Sequence, residues 1–159
     1  MADGKIIQGS SYTSIVLNHK ERHKIIIKAF CNLKRITDDF DSIVCCGTSG
    51  LLVAPQVAEL LDKHIVVIRK KRSSESCYSP YRMEGVMPFK YVIIDDLICS
   101  GHTIRYIKEN IKEEIPRAKC IGVYCYLPSE CAYRANQEGS KLCQRDLGVP
   151  LLNLDPVKT

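Results

Sequence analysis

No apolar run in this sequence approaches the roughly 18–20 residues that a helix needs to cross a bilayer, and the N-terminus carries no apolar stretch of the signal-peptide kind. The cytoplasm is therefore the expected address, and no membrane partner is expected. The nine cysteines include no C-x₂-C pair, so the usual spacing of a zinc site is missing. An odd count without a secretory signal also argues against a disulfide framework. Most of these thiols fall in apolar runs, such as 43–46 and 120–125, which suits reduced cysteines acting as small hydrophobes. Internal repeats, low-complexity tracts and Pro/Gly-rich linkers are lacking too. The 159 residues are accordingly expected to form one domain, 1–159.

What is present is the composition of an ordinary globular chain, with 45% hydrophobic and 26% charged residues. The formal net charge of +5 suits an anionic small molecule or a weak nucleic-acid contact and does not choose between them. No basic stripe interleaved with aromatics supports nucleic acid. The clustering says more, because Arg69, Lys70, Lys71 and Arg72 are consecutive.

Residues 5–17 alternate weakly and read as an N-terminal strand or hairpin. Over 18–36, Ile25, Ile26, Ala29, Phe30 and Leu33 recur at helical spacing. Short apolar runs then alternate with helical stretches. Strands are expected at 42–46, 64–68, 91–94, 119–126 and 151–154, and helices at 50–61 and 103–114, with a short helix or a loop across 130–138. The runs are continuously apolar, as strands buried on both faces of a parallel sheet must be. The expected fold class is α/β, a doubly wound, mostly parallel five-stranded sheet flanked by helices. Ligands of such sheets bind beyond the carboxyl ends of the strands. Chemistry is therefore sought at 47–50, 69–90, 95–103 and 127–137.

The run 91–94 ends in Asp95 and Asp96, and the turn 97–103 then opens a helix. A helix start offers free N–H groups to an anion. Ser100 and Thr103 add hydroxyls, and Gly101 permits close backbone approach. Adjacent carboxylates at a strand end suit the vicinal hydroxyls of a sugar, or a divalent cation attached to it. The plainer alternative is a capped helix whose acids are merely solvated. Cys46–Gly50, between a strand and a helix, is a second turn able to present amides to an anion. The basic run at 69–72 could clamp a leaving anion, or could be a solvated loop.

Residues 91–103 resemble the 5-phosphoribosyl-1-pyrophosphate (PRPP) signature of type I phosphoribosyltransferases: four apolar residues, two acids, two apolar or small residues, then a turn rich in small and hydroxyl residues. The pattern is nearest to orotate phosphoribosyltransferase-like proteins. The resemblance implies that Asp95 and Asp96 hold the ribose, while Cys99, Ser100, Gly101, His102 and Thr103 surround the 5′-phosphate. Cys99 stands where Thr or Ala is common, and His102 where Gly is common. Thr48, Ser49 and Gly50 resemble the family's pyrophosphate loop. Residues 69–85 resemble its flexible catalytic loop, which makes Arg69 and Lys70 binding residues and Asp95, Asp96, Lys70 and Lys71 the catalytic set. The family's further lysine and His-Gly pair are replaced here by Ser73, Ser74 and Glu75.

By the same resemblance 41–127 is the PRPP-binding core, and 1–40 and 128–159 are hood and flanking elements. Residues 147–154 resemble the closing segment of orotate enzymes, and Arg134 is the candidate for base binding. The implied activity is Mg²⁺-dependent transfer of phosphoribosyl from PRPP to a nucleobase nitrogen, with an orotate-like pyrimidine favoured. No dedicated metal cage is expected, Mg²⁺ being carried by substrate with Asp95 and Asp96 nearby. A homodimer is implied as well. Two alternatives stay open: a PRPP-sensing regulator without efficient transfer, and a purine phosphoribosyltransferase.

Overall fold

The computed structural model describes residues 13–70, 81–127 and 147–153. Strand β1 (Ser42–Cys46) is central and buried at every position. It pairs in parallel with β2 (His64–Ile68) on one side and β4 (Lys90–Asp95) on the other. Beyond β4 lies β5 (Lys119–Cys125), also parallel. Beyond β2 lies β3 (Met83–Gly85), the one antiparallel member among the described residues, and the order is β3-β2-β1-β4-β5.

The pleat divides each inner strand between two cores, because successive side chains point to opposite faces. Ile43, Cys45, Val92, Ile94 and Tyr124 join the apolar faces of α2 (His19–Lys34) and α4 (Ala54–Leu61). Val44, Cys46, Tyr91, Ile93, Val123 and Cys125 face the opposite way, onto Ile104, Ile107 and Ile111 of α5 (His102–Glu114). Helices on both faces of a largely parallel sheet make the doubly wound α/β architecture that the apolar runs implied.

Four sequence expectations need correction. The strand read at 5–17 is, over its described part, helix α1 (Thr13–Leu17), with Val16 fully buried and its carbonyl accepting from Arg22 Nη1 at 3.2 Å. Asn18 then starts α2 by accepting from the amides of Lys20 and Glu21. The helix read at 50–61 is two, α3 (Gly47–Leu51) and α4, parted at Leu52–Val53. Pro55 stands in the first turn of α4, and a proline there has no N–H to continue an earlier helix.

The fifth strand of the sheet is β3, inside the stretch read as loop. Gly85 adopts φ +128°, and a Cβ on it would sit 2.3 Å from the carbonyl oxygen of Ile65, so this edge strand lies hard against β2. Over its described residues, 151–153, the run read at 151–154 is a parallel bridge between Leu151 and Val123 rather than a strand. The Asn153 side-chain amide extends that pairing by accepting from Cys125 N–H and donating to Cys125 C=O. The helix or loop at 130–138 lies outside the described residues. No helix among those described is long and apolar enough to cross a membrane.

Candidate active site

β1 and β4 are neighbours, yet the chain leaves β1 toward β2 and leaves β4 toward β5. The crevice between their carboxyl ends is the place where strand order reverses, and doubly wound sheets bind ligands there. A cavity of about 200 Å³ opens at this point, with Ser49 and Lys70 on one wall and the continuous stretch 95–104 on the other. A larger cleft of about 340 Å³ runs along α5 between Tyr91 and Leu147. It lies away from the strand-end carboxylates, so the smaller cavity is the candidate site.

Asp95 is the last residue of β4 and only 6% exposed. Its Oδ1 accepts from Ser49 Oγ at 3.3 Å and from the amide of Asp96 at 2.9 Å. Burial, reinforced by the neighbouring Asp96 charge, pushes the Asp95 carboxyl up to about 7 against these two donors. Asp96 turns its Oδ1 onto the amide of Leu97 at 2.8 Å. Both carboxyls line the cavity.

After the acids the chain turns into α5. The N-cap is Gly101 at φ +70°, a left-handed conformation that costs other L-residues about 1 kcal/mol or more, and it has no side chain of its own to cap the first turn. Ser100 Oγ accepts from His102 N–H at 3.4 Å, and Arg105 donates to the Ser100 carbonyl at 2.8 Å. Cys99, Ser100, His102 and Thr103 line the cavity with Gly101. On the opposite wall, Gly47 at φ +74° lets the Lys70 side chain pass close by: a Cβ there would lie 3.1 Å from Lys70 Cε.

The structure brings together most, but not all, of the residues named from sequence. Ser49, Lys70, Asp95, Asp96 and 99–103 share the cavity. Gly50 is buried beneath it, where a Cβ would be 2.7 Å from Cys45 Cβ, and Thr48 is exposed and does not line the cavity. Arg69 does not line the cavity; its guanidinium pairs with Glu84 at 2.9 Å. Lys71 and Arg134 lie outside the described residues.

Two tyrosines that sequence reasoning missed brace the walls. Tyr126 donates to the Ser49 carbonyl at 2.8 Å, and its hydroxyl is held well above its ordinary pKa, chiefly by burial. Tyr106 donates to the Arg69 carbonyl at 3.0 Å. A tyrosine closing the apolar run at 119–126 was the available signal for the first. Burial raises the Cys45 thiol to about 12 and raises Cys46 against the pull of Lys70, so neither is poised as a nucleophile.

The family model of the phosphoribosyl transferase domain matches residues 13–146. The chain belongs to this family. It is thus a phosphoribosyltransferase, and its fold has many solved counterparts. The orotate phosphoribosyltransferase of Francisella tularensis superposes with a TM-score of 0.62 at 16% identity, over 87% of this chain and 68% of that one. That of Aeropyrum pernix gives 0.58 at 17% identity, over 86% and 72%. The adenine phosphoribosyl transferase of Trypanosoma brucei, in complex with AMP, pyrophosphate and ribose-5-phosphate, gives 0.56 at 20% identity, over 86% and 64%. No curated protein sequence matches the chain at a significant level. At these identities the likeness speaks for the fold, and this phosphoribosyltransferase shares it with orotate and adenine enzymes alike.

Proposed function

We propose that the phosphoribosyltransferase transfers phosphoribosyl from PRPP to a nucleobase nitrogen, with an orotate-like pyrimidine as the acceptor, in the cytoplasm and as a homodimer. One observation carries the core of this reading. A single cavity at the switch between β1 and β4 is lined at once by two carboxyls, by a helix-opening turn and by a lysine on the facing wall. That is the complement of a sugar carrying a phosphate at one end and a diphosphate at the other. The 5′-phosphate would rest on the 99–103 turn, where first-turn amides and the helix dipole favour an anion. The ribose hydroxyls would meet Asp95 and Asp96. The diphosphate would lie toward Lys70 and the 47–50 turn. The closing segment 147–154 supports the orotate-like acceptor by resemblance.

The bond between C1 of the ribose and the diphosphate oxygen breaks, and the base nitrogen bonds to C1 as pyrophosphate leaves. Positive charge develops on the sugar beside the two carboxyls, and Lys70 faces the departing negative charge, so the chain contributes positioning and electrostatics. Among the described residues no group of three or more His, Cys, Asp or Glu could cage a metal ion. Two carboxyls lining the cavity fit Mg²⁺ held mainly by substrate oxygens and water. When bound, Mg²⁺ would screen the diphosphate charge.

The test is pyrophosphate release from PRPP and Mg²⁺ across orotate, uracil, adenine, hypoxanthine, guanine and xanthine. Release with orotate, lost by at least about tenfold in Asp96→Asn through weakened binding of the sugar, is the expected result. Release with a purine instead would overturn the acceptor and keep the reaction. Silence across the panel with PRPP still bound would point to a PRPP-sensing protein.

A further inference from the structure

Residue 69 is held by every handle it has. Its N–H donates to the Arg82 carbonyl at 2.8 Å, and its carbonyl accepts from the Tyr106 hydroxyl at 3.0 Å. One guanidinium nitrogen bridges both carboxylate oxygens of Glu84, at 2.9 and 3.0 Å. These partners belong to three places: the residue before β3, β3 itself and α5. The very next residue is Lys70, whose side chain skirts Gly47 and lines the cavity.

We infer that Arg69 is an anchor rather than a ligand residue, and that Tyr106 and Glu84 are positioning residues that aim Lys70 at the diphosphate end of the substrate. A lysine is a point charge on a flexible four-carbon stem with many rotamers, so its backbone must be fixed if the charge is to stay in one place. Tyr106 and Glu84 thereby set the discrimination between PRPP and ribose 5-phosphate, because only PRPP carries charge at that wall. The single phosphate of ribose 5-phosphate rests on the 99–103 turn, which neither residue touches through these bonds. This inference rests on the proposed function.

The experiment is calorimetric binding of PRPP and of ribose 5-phosphate, each with Mg²⁺, to the full chain and its variants. Tyr106→Phe keeps the ring and deletes only the hydroxyl. It should weaken PRPP about fivefold, as the loss of one hydrogen bond implies, and leave ribose 5-phosphate unchanged. Glu84→Gln should weaken PRPP about twofold, in keeping with an exposed pair. Adding Tyr106→Phe to Lys70→Ala should cost nothing further. Variants that keep the wild-type ratio of the two affinities would overturn the inference while leaving the function standing. A gain in PRPP affinity in Glu84→Gln would overturn it too, since the released Arg69 would then be a ligand residue itself. A wild-type protein with no preference for PRPP would remove the functional reading and the inference together.

Discussion

Asp95 sits where binding and stability pull in opposite directions. Its carboxyl is buried beside a second carboxyl, and its pKa rises from 3.8 to about 7 on folding, by burial first and by Asp96 second. A group whose pKa rises on folding stabilises the folded state below its unfolded value, and that stabilisation is lost as pH climbs through the folded value. The protein without ligand should therefore lose stability between about pH 4 and pH 7 through this group. Asp95→Asn, neutral and nearly isosteric, should be more stable than the parent at pH 8, by on the order of 2 kcal/mol. The difference should vanish near pH 4, while PRPP binding falls. Thermal unfolding at the two pH values checks this, and equal midpoints at pH 8 would contradict it. The acid pair was legible in the sequence because its partners are its own neighbours: the amides of Asp96 and Leu97 and the turn that follows. Ser49, Tyr106 and Tyr126 act on residues 46, 37 and 77 positions away, and no local pattern announces such pairings.

Among the elements, strands were read more faithfully than the turns between them. The runs at 42–46 and 64–68 coincide with β1 and β2, since a strand covered on both faces must be apolar throughout. β3 escaped because three backbone-paired residues at an edge need no apolar run; only Met83 is even half-buried. The division between α3 and α4 was hidden by apolar periodicity that continues across it, although Pro55 marks it. α3 is also where packing fixes the site. Gly50 meets Cys45 Cβ and the carbonyl of Ile94, at 2.7 and 3.2 Å from any added Cβ, and neither atom belongs to a side chain's free end. Gly50→Ala should cost about 1–3 kcal/mol as an overpacked core position and push the 47–50 turn out of place. Urea denaturation would measure the first effect; an unchanged midpoint would mean that α3 can shift without penalty.

At the scale of the molecule, one sheet carries two cores and places its crevice between them. The site belongs to the topology: the segments that follow β1 and β2 supply one wall, the chain from the end of β4 into α5 supplies the other, and the reversal of strand order leaves the gap. Continuous apolar runs made the sheet and its helices legible, but strand order was not written in any one segment. The edge described at Gly85 has a further bearing, on solubility. An unpaired strand edge is a template for other chains, and proteins blunt such edges with short, charged or irregular strands. β3 does this for β2: it is three residues long, carries Glu84 and ends in a glycine that only an unusual backbone admits. Gly85→Ala would drive its new Cβ into the main chain of Ile65 and lift this cover. The expected outcome is time-dependent light scattering at neutral pH, arising while the two cores are still folded, and a clear solution would show that β2 can stand uncovered. The residue that closes this short edge strand would then be what keeps the sheet from zipping edge to edge with other copies of the chain.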